Sequence, residues 1–336
     1  MRYNSKMKAF QIKVNGKILD YRLGAELDLD EIKAFFAKKY QVVKLWSAGR
    51  HVVGTLRKDN RELWLKLATT CGIGALTQNE FAWNEQFNLK VSRSSSNYWV
   101  PENYASGFYH DLFYLITDRF DGQLLTEKPE KNSIASKVIL ENLSAIIGFA
   151  ETIQGLKMSS RLRRDPDLYE KPGSPIRSGM TNKTLYHQKH FLEKTVLWYQ
   201  DIPQSIKEKY QVAKLLKMVE ESSEKLLSRP RHGDFTPWHL MLLENGKLGL
   251  IDGEHALNNG VENYDLGYFL QRVYSVLEDP VLARKILILL IKKGYKVEKL
   301  KPILGARAIG GFLDEALKPK PNYQIAVSFQ EFVKSL

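Results

Sequence analysis

The sequence predicts an α+β fold of two lobes, in which a small, antiparallel, β-rich N-terminal lobe precedes a mostly helical C-terminal lobe. The first observation is length, because 336 residues are about twice the length of a typical single domain. The second is periodicity, since strand-like alternation is concentrated before residue 121 and helical spacing dominates after residue 122. We therefore divide the chain into an N-terminal extension of a hairpin and a helix (1–40), a β-rich lobe (41–121) and a helical lobe (122–336).

Composition restricts the classes of function. The chain has 50 Lys and Arg against 38 Asp and Glu, a formal net charge of +12, which suits nucleic acids, anionic membranes or phosphorylated small molecules without choosing among them. The single cysteine, Cys71, excludes an intramolecular disulfide framework and a four-cysteine zinc site. A reducing, cytoplasmic setting is therefore expected. The apolar run from Ile286 to Ile291 is too short to span a bilayer, and we expect no membrane partner.

The N-terminal extension begins with a hairpin signal. The dipeptide Asn15-Gly16, between the segments 10–14 and 17–21, is typical of a two-residue hairpin turn. The segment 28–40 begins with acids, ends with lysines and has one apolar face, which predicts an amphipathic helix.

The β-rich lobe follows. Alternating segments predict three antiparallel strands between residues 41 and 69, and two more at 104–110 and 112–120. Between these groups, Thr77 and Glu80 have the spacing of a capping box, which predicts that a helix begins there and ends near Leu89.

The helical lobe contains predicted helices at 133–157, 187–200 and 203–228. The segment 159–183 is rich in Pro, Gly, Ser and Arg and is predicted to be a long surface loop. Further helices follow residue 262, with Pro280 and Pro302 as expected breaks.

The strongest chemical signal is the pair of segments HGDFTPWH (232–239) and IDGEHA (251–256). Asn245-Gly246, between two apolar segments, predicts a hairpin that brings Asp234 and Asp252 to one pocket. Either Asp alone is explained as a turn residue, but the crowding of His, Gly, Asp, Pro and Trp beside a second Asp favours a site. Two such carboxylates suit magnesium-assisted transfer, in which one orients or deprotonates a nucleophile and the other holds metal on a polyphosphate.

A second signal is Lys66, which lies within an apolar strand and needs a partner because a buried unpaired ammonium is costly. Glu80, Trp83 and Phe87 share one helical face, so Glu80 is the expected partner. The alternatives are a capping role for Glu80 and pairing of Lys66 with Glu85.

Together these motifs resemble those of the aminoglycoside phosphotransferase and choline kinase-like family, over about residues 41–275. The resemblance implies a protein-kinase-like two-lobe fold, with 41–121 as the nucleotide-binding lobe and 122–336 as the catalytic and substrate lobe. It implies an ATP-dependent kinase that phosphorylates a hydroxyl of a small molecule, with ATP and Mg²⁺ as cofactors. The implied partners are a nucleotide and a small hydroxylated acceptor, whose identity the resemblance leaves open.

The resemblance also implies roles for residues of the catalytic region. Asp234 is the expected catalytic base, in a loop that His232 opens and supports, and Asp252 is the expected main magnesium ligand. Asp265 is expected to support the catalytic loop, with complementation of the helix dipole as the alternative. Glu254 is either a carboxylate near the metal or a solvated acid.

In the N-terminal lobe, the resemblance implies that Lys66, oriented by Glu80, contacts the ATP phosphates. A loop between the first two strands would cover these phosphates, and backbone groups at the end of the lobe would bind adenine. The implied nucleotide-binding residues are Lys66, Glu80, Gly49, Arg50, Asp118 and Phe120.

One position departs from the family, because His239 stands where a metal-binding Asn is expected. Magnesium prefers oxygen ligands to imidazole nitrogen, so His239 binds metal weakly, contacts a phosphate oxygen or marks lost catalysis. The departure leaves a catalytically impaired pseudokinase or nucleotide-binding regulator as the first alternative. A metal-dependent hydrolase, with His232, Asp234, His239 and Asp252 as ligands, is the second.

Nucleic-acid binding has only the positive charge in its favour, because no nucleic-acid-binding motif is present. The basic run from Lys157 to Arg164, with Arg177, is interpreted either as a solvated surface or as a lid that attracts an anionic substrate.

Overall fold

A computed structural model of the chain describes residues 13–14, 17–18, 24–127, 129–131, 133–157 and 186–336. The described residues form two compact units. The first runs to Gly122 and also includes Leu242–His255, and the second comprises the remainder. An antiparallel sheet dominates the first unit and helices dominate the second, which confirms the predicted two-lobe, kinase-like fold class.

The N-terminal extension contains the two predicted elements. Strands β1 (Lys13–Val14) and β2 (Lys17–Ile18) pair in antiparallel fashion, and the Asn15-Gly16 turn between them lies outside the described residues. Helix α1 spans Leu29–Ala37. It begins after Asp28, whose carboxylate accepts hydrogen bonds from the backbone N–H groups of the first turn.

The main sheet of the first unit has five antiparallel strands in the order β3-β4-β5-β8-β7. Its strands are β3 (Gln41–Ala48), β4 (His51–Lys58), β5 (Arg61–Ala68), β7 (Asn103–Tyr109) and β8 (Leu112–Asp118). All five predicted strands are thus confirmed, with ends that shift by one or two residues.

The alternation of side chains along β5 decides which residues face the core. Leu63, Leu65 and Leu67 lie in the buried cluster that includes residues of α1. Because successive side chains of a strand point to opposite faces, Trp64 and Lys66 lie on the other face of the sheet.

The helix after β5 begins earlier than the sequence predicts. Helix α2 spans Cys71–Lys90, and the hydroxyl of Thr70 caps it by accepting a hydrogen bond from Ile73 N. Thr77 is buried within the helix, where its hydroxyl donates to Ile73 O. The predicted capping box is therefore wrong, because Thr70 caps the helix without a glutamate three residues later. Glu80 consequently lies in the helix interior.

A second sheet has the order β6-β12-β11-β9. Its strands are β6 (Tyr98–Trp99), β9 (Gly122–Leu124), β11 (Leu240–Leu243) and β12 (Leu248–Leu250). The predicted hairpin is confirmed, and Gly246 adopts the positive φ of +76° that its turn requires. The boundary between the two units falls within β9 and within β11.

The second unit consists mainly of helices, with one short antiparallel pair formed by β10 (Ser228–Arg231) and β13 (Leu257–Val261). The helices are α3 (Ser133–Gly155), α4 (Tyr186–Asp201), α5 (Gln204–Lys209), α6 (Val212–Ser223), α7 (Tyr264–Ser275), α8 (Pro280–Lys292), α9 (Val297–Ala316) and α10 (Gln324–Lys334). None of the helices in the described ranges combines the length and apolarity that a membrane crossing requires.

Two helix predictions in this unit are wrong. The segment 203–228 is not one helix, because Gln211 adopts a left-handed φ of +51° between α5 and α6, and Ser228 already belongs to β10. Pro302 lies inside α9 instead of ending it. The buried residues that follow it, among them Ile303 and Leu304, offset the missing backbone hydrogen bond by packing.

Pro280 is the first residue of α8 and thus marks a break, as expected, because a helix start needs no N–H from its first residue. The segment predicted as a surface loop, 159–183, lies outside the described residues.

Replacement of Thr70 by Ala is expected to lower the free energy of unfolding by about 1 kcal/mol, because the first turn of α2 loses its cap. Thr70→Ser keeps the accepting oxygen and should stay within a few tenths of a kcal/mol of the wild type. Urea denaturation followed by circular dichroism measures both values. Equal stability of Thr70→Ala and Thr70→Ser would show that the cap contributes nothing.

Candidate active site

The first unit places a buried lysine among three carboxylates. The ammonium of Lys66 lies 2.6 Å from Glu80 Oε2 and 2.8 Å from Glu254 Oε1, and it also donates to Asp252 Oδ1. The predicted pair of Lys66 and Glu80 is therefore present. The alternative partner, Glu85, is exposed on another face of α2.

Two features of α2 hold the segment after β12 in place. Asn79 Nδ2 donates to the backbone carbonyl of Glu254 at 2.9 Å. Gly253 packs against the indole of Trp83 so closely that a Cβ at this position would lie 2.3 Å from Trp83 Cδ1. Only glycine fits between Asp252 and Glu254, and the close packing fixes where both carboxylates project.

The backbone of Asp252 is strained. Its φ is +68°, in the left-handed region that residues other than glycine rarely adopt. Such conformations persist only where the surroundings impose them, and they concentrate at functional sites. The strained backbone of Asp252 therefore indicates that the surrounding structure fixes the direction of its carboxylate, at a cost in backbone energy.

Glu254 is fully buried, so its interpretation as a solvated acid is wrong. Besides Lys66, its carboxylate lies 3.1 Å from Arg50 Nη2 and 3.1 Å from His51 Nε2. The segment IDGEHA alone could not predict these partners. They belong to the turn between β3 and β4 and the start of β4, some 200 residues earlier in the chain.

His51 is a residue of the site that the sequence analysis missed. Its Nε2 also lies 3.0 Å from the hydroxyl of Thr77. Burial lowers the pKa of His51, against the opposing effect of Glu254, so the ring is neutral at pH 7. The signal available in the sequence was a histidine at the start of a predicted strand, beside a glycine turn.

The carboxylates of this cluster outnumber its cations. Burial lowers the pKa of Lys66, but the three carboxylates outweigh it and hold this pKa well above its usual value. Burial raises the pKa of Glu80 to about 7. Burial also raises the pKa of Glu254, yet Lys66 and His51 together hold it well below its usual value. With Lys66 and Arg50 as the cations, ionisation of all three carboxylates leaves one excess negative charge.

The turn between β3 and β4 contains the two other residues that the resemblance assigned to phosphates. Gly49 has a φ of +62°, and the strands pair up to Ala48 and His51, so the turn has only two residues. The carbonyl of Arg50 accepts hydrogen bonds from the N–H (3.1 Å) and the hydroxyl (2.7 Å) of Thr69, at the end of β5. The turn is thus fastened to the strand that carries Lys66.

At the end of β8, the side chains of the two residues assigned to adenine have structural partners. The carboxylate of Asp118 accepts a hydrogen bond of 2.6 Å from Arg93 Nη1. Phe120 packs on Gly249, where a Cβ would lie 2.8 Å from its ring. Both assignments thus rest on backbone groups alone, as the resemblance implies.

An aromatic surface lies on the same face of the sheet as Lys66. Trp64 precedes Lys66 by two residues, and its ring centroid is 5.5 Å from that of Trp46 on β3. Trp46 pairs with Val53, which pairs with Lys66, so the strand register places them on one face. The sequence analysis missed this surface, because strand order was needed to bring the two tryptophans together.

The second unit holds the segment that contains Asp234. The carboxylate of Asp265 accepts hydrogen bonds of 2.8 Å from both His232 N and Gly233 N. On the other side of Asp234, the ring of Phe235 is fully buried between Phe149 and Phe269. The backbone around Asp234 is therefore fixed on both sides, while its own side chain stays partly exposed.

Asp265 is buried, and burial raises its pKa to about 6, although the two backbone hydrogen bonds act in the opposite direction. At pH 7 the carboxylate is ionised and accepts both bonds. The contact predicted for Asp265 is present, and it is more specific than complementation of the dipole of α7.

His239 contacts Asp234 in two ways. Its Nδ1 lies 3.0 Å from the backbone carbonyl of Asp234 and 3.6 Å from the carboxylate oxygen Oδ2. A proton on Nδ1 donates to this carbonyl and leaves Nε2 as the acceptor of the ring.

The metal-hydrolase alternative needs His232 beside Asp234 and His239. The ring of His232 is fully buried. In the described part of the chain it joins no group of three potential ligand atoms within 4.8 Å of one another. A ligand set that includes His232 is therefore not assembled.

Comparison with known proteins gives structural matches only. No protein-family model matches the chain, and no curated protein matches its sequence. The fold is similar to that of a thermostable mutant of aminoglycoside phosphotransferase APH(4)-Ia in a ternary complex with ADP and hygromycin B. The TM-score is 0.61 at 14% identity, over 91% of this chain and 96% of that chain.

Two further structures extend the comparison. Choline kinase LicA from Streptococcus pneumoniae matches with a TM-score of 0.53 at 13% identity, over 91% of this chain and 97% of that chain. APH(2")-IIa in a ternary complex with streptomycin and ATP matches with a TM-score of 0.50 at 15% identity, over 93% of this chain and 97% of that chain. The chain therefore has the two-lobed, protein-kinase-like fold of the aminoglycoside phosphotransferases and choline kinase.

Proposed function

We propose that this protein is an ATP- and Mg²⁺-dependent phosphotransferase that phosphorylates a hydroxyl of a small molecule. The observation that carries the proposal is the buried ammonium of Lys66, held by Glu80, Asp252 and Glu254. Lys66 and Arg50 balance two of the three carboxylates, and the third is explained when a divalent cation binds with the nucleotide phosphates. The likeness to structures that contain ADP or ATP supports the nucleotide.

In the first unit, Lys66 would bind the phosphates of the nucleotide, and Glu80 would hold the ammonium in position. The carboxylate of Asp252 suits magnesium, because this ion prefers hard oxygen ligands. Magnesium, when bound, would neutralise phosphate charge. The tryptophan surface of Trp46 and Trp64 offers a purine a flat face on which to stack.

In the second unit, Asp234 would act on the acceptor. Its carboxylate takes the proton of the acceptor hydroxyl, whose oxygen forms a bond to the terminal phosphorus while the bond from that phosphorus to the ADP oxygen breaks. Asp265 fixes the loop through His232 and Gly233, which keeps this carboxylate in one direction. We propose that His239, anchored through Nδ1, offers its unprotonated Nε2 to metal as a weak ligand, or donates from Nε2 to a phosphate oxygen when the ring carries a second proton.

Replacement of Asp234 by Asn is expected to lower phosphoryl transfer at least about 100-fold, because the hydroxyl loses its base. Labelled ATP and a library of hydroxylated metabolites measure the transfer. Nucleotide affinity, measured by the ATP-dependent shift in melting temperature, should stay unchanged.

Undiminished transfer by the Asp234→Asn variant would contradict the assignment of the base. Stabilisation of the wild type by ATP without phosphorylation of any library member would instead support the nucleotide-binding regulator.

Replacement of Trp64 by Leu is expected to weaken nucleotide binding roughly 10-fold, because stacking of a base on an aromatic ring is lost. Phe108→Leu is the matched control, since Phe108 is an exposed aromatic residue on β7 of the same sheet. Calorimetric titration with ADP measures both. Equal ADP affinities of the two variants would show that the purine of the nucleotide does not stack on Trp64.

Asp265 predicts a dependence of stability on pH. Its folded pKa of about 6 lies above the unfolded value near 3.8, so the folded state binds the proton more tightly. Stability is therefore expected to fall as pH rises from about 4 to 6, by up to roughly 3 kcal/mol, and to level off above.

Urea denaturation between pH 4 and 7 checks this, with Asp265→Asn for comparison. The variant should lack this component and show a flatter profile, although one backbone N–H of the loop loses its acceptor. Parallel profiles of variant and wild type would contradict the raised pKa.

A further inference from the structure

The face of α7 that supports the catalytic loop continues into a cluster of cations. Asp265, Tyr268 and Arg272 are spaced i, i+3 and i+7, so they lie along one face of the helix. Asp265 holds the loop of Asp234. Tyr268 and Arg272 therefore lie within about 10 Å of Asp265 along the helix axis. We expect an acceptor whose hydroxyl meets Asp234 to extend along this part of α7.

Two guanidinium groups contact the ring of Tyr268. Arg272 Cζ lies 4.7 Å from the ring centroid, and Arg307 Cζ of α9 lies 4.1 Å from it. Arg272 also donates to the hydroxyl of Tyr268 at 2.7 Å and pairs with Asp314 at 3.1 Å. Arg272 thus has a carboxylate partner, and its orientation is fixed.

Arg307 differs, because it is buried and no carboxylate among the described residues pairs with it. It is only 5% exposed, and its contacts are the rings of Tyr268 and of Trp198, whose centroid lies 4.8 Å from Arg307 Cζ. Among the described residues no carboxylate lies within ion-pair distance of it, and its Nε has no hydrogen-bond partner. Stacking on aromatic rings offsets only part of the cost of burying such a charge.

A third cation lies close to the two arginines. Lys194 of α4 places its ammonium 5.6 Å from the ring of Trp198, on which Arg307 also stacks. Asp314, the partner of Arg272, is half-exposed. Asp314 and Asp234 both contribute to the electrostatics of Arg272, and Asp234 also contributes to that of Tyr268. The proposed reaction commits Asp234 to the acceptor hydroxyl.

We infer that Arg307 and Arg272 bind an anionic group, a carboxylate or a phosphate, on the acceptor whose hydroxyl is phosphorylated. This inference rests on the proposed function and names the class of its acceptor. The planar guanidinium fork matches both anions, and such charge-assisted hydrogen bonds would satisfy the unpartnered Nε of Arg307. A cationic acceptor would meet like charge at the same place.

The test measures acceptor binding without ATP or Mg²⁺, from shifts in melting temperature with matched probes. The pairs are glycerate with glycerol, glycerol 3-phosphate with glycerol, and gluconate with glucose, and choline is the cationic probe. In at least one pair the anionic member should stabilise the wild type more than its neutral partner. The pairs also distinguish a carboxylate from a phosphate.

Arg307→Gln should weaken binding of the anionic member roughly 10- to 100-fold, because a charge-assisted interaction is lost. Arg307→Lys keeps the charge and should retain part of the affinity. Arg284→Gln is the matched control, since Arg284 also lies over an aromatic ring, that of Phe332, on the exposed side of α8. Lys66→Met controls for anions that bind in the first unit.

Two results would overturn the inference: no anionic member that stabilises the wild type more than its neutral partner, or an anion preference that persists in Arg307→Gln. Loss of the preference in Lys66→Met but not in Arg307→Gln would assign the anion to the nucleotide site and also overturn it. Failure of the proposed function is a separate result. Anion binding that depends on Arg307, without any phosphoryl transfer, would contradict the function and leave the anion subsite in place.

Discussion

The first unit depends on one constraint, the burial of a lysine ammonium inside a sheet. Lys66 cannot stay charged there unless carboxylates surround it, and the chain supplies them from α2 and from the segment after β12. This requirement explains why Gly253 packs against Trp83 and why Asp252 accepts a strained φ. Each is a cost that the electrostatic stabilisation of the ammonium offsets.

The second unit follows a different rule, because hydrogen bonds to backbone fix the segment that contains Asp234. Asp265 binds two consecutive N–H groups beside Asp234, so the loop geometry does not depend on the reactive side chain. The side chains that would meet an acceptor lie further along α7 and on α9. In the proposed function, this arrangement would separate positioning of the base from recognition of the acceptor, so that recognition could change while the loop stays intact.

Much of the fold was predictable because it depends on patterns between residues that are close in the sequence. Alternation gave the five strands, Asn245-Gly246 gave the hairpin, and apolar spacing paired Lys66 with Glu80. The failures have physical causes: Thr70 outcompetes Thr77 as a cap, and packing of α9 overrides Pro302. The contacts of Glu254 with Arg50 and His51, and those of Arg307, come from distant elements and were not readable before the fold was known.

The first unit is discontinuous in sequence, since Leu242–His255 joins residues that end at Gly122. At ordinary rates of translation, the ribosome needs on the order of ten seconds to make the intervening segment. Until then the nascent sheet has Lys66 and Glu80 but lacks Asp252 and Glu254. Until its last segment is made, the early part of the chain therefore offers the ammonium of Lys66 only one of its three carboxylate partners, Glu80. A fragment that ends at residue 122 would lack the other two partners, Asp252 and Glu254, permanently.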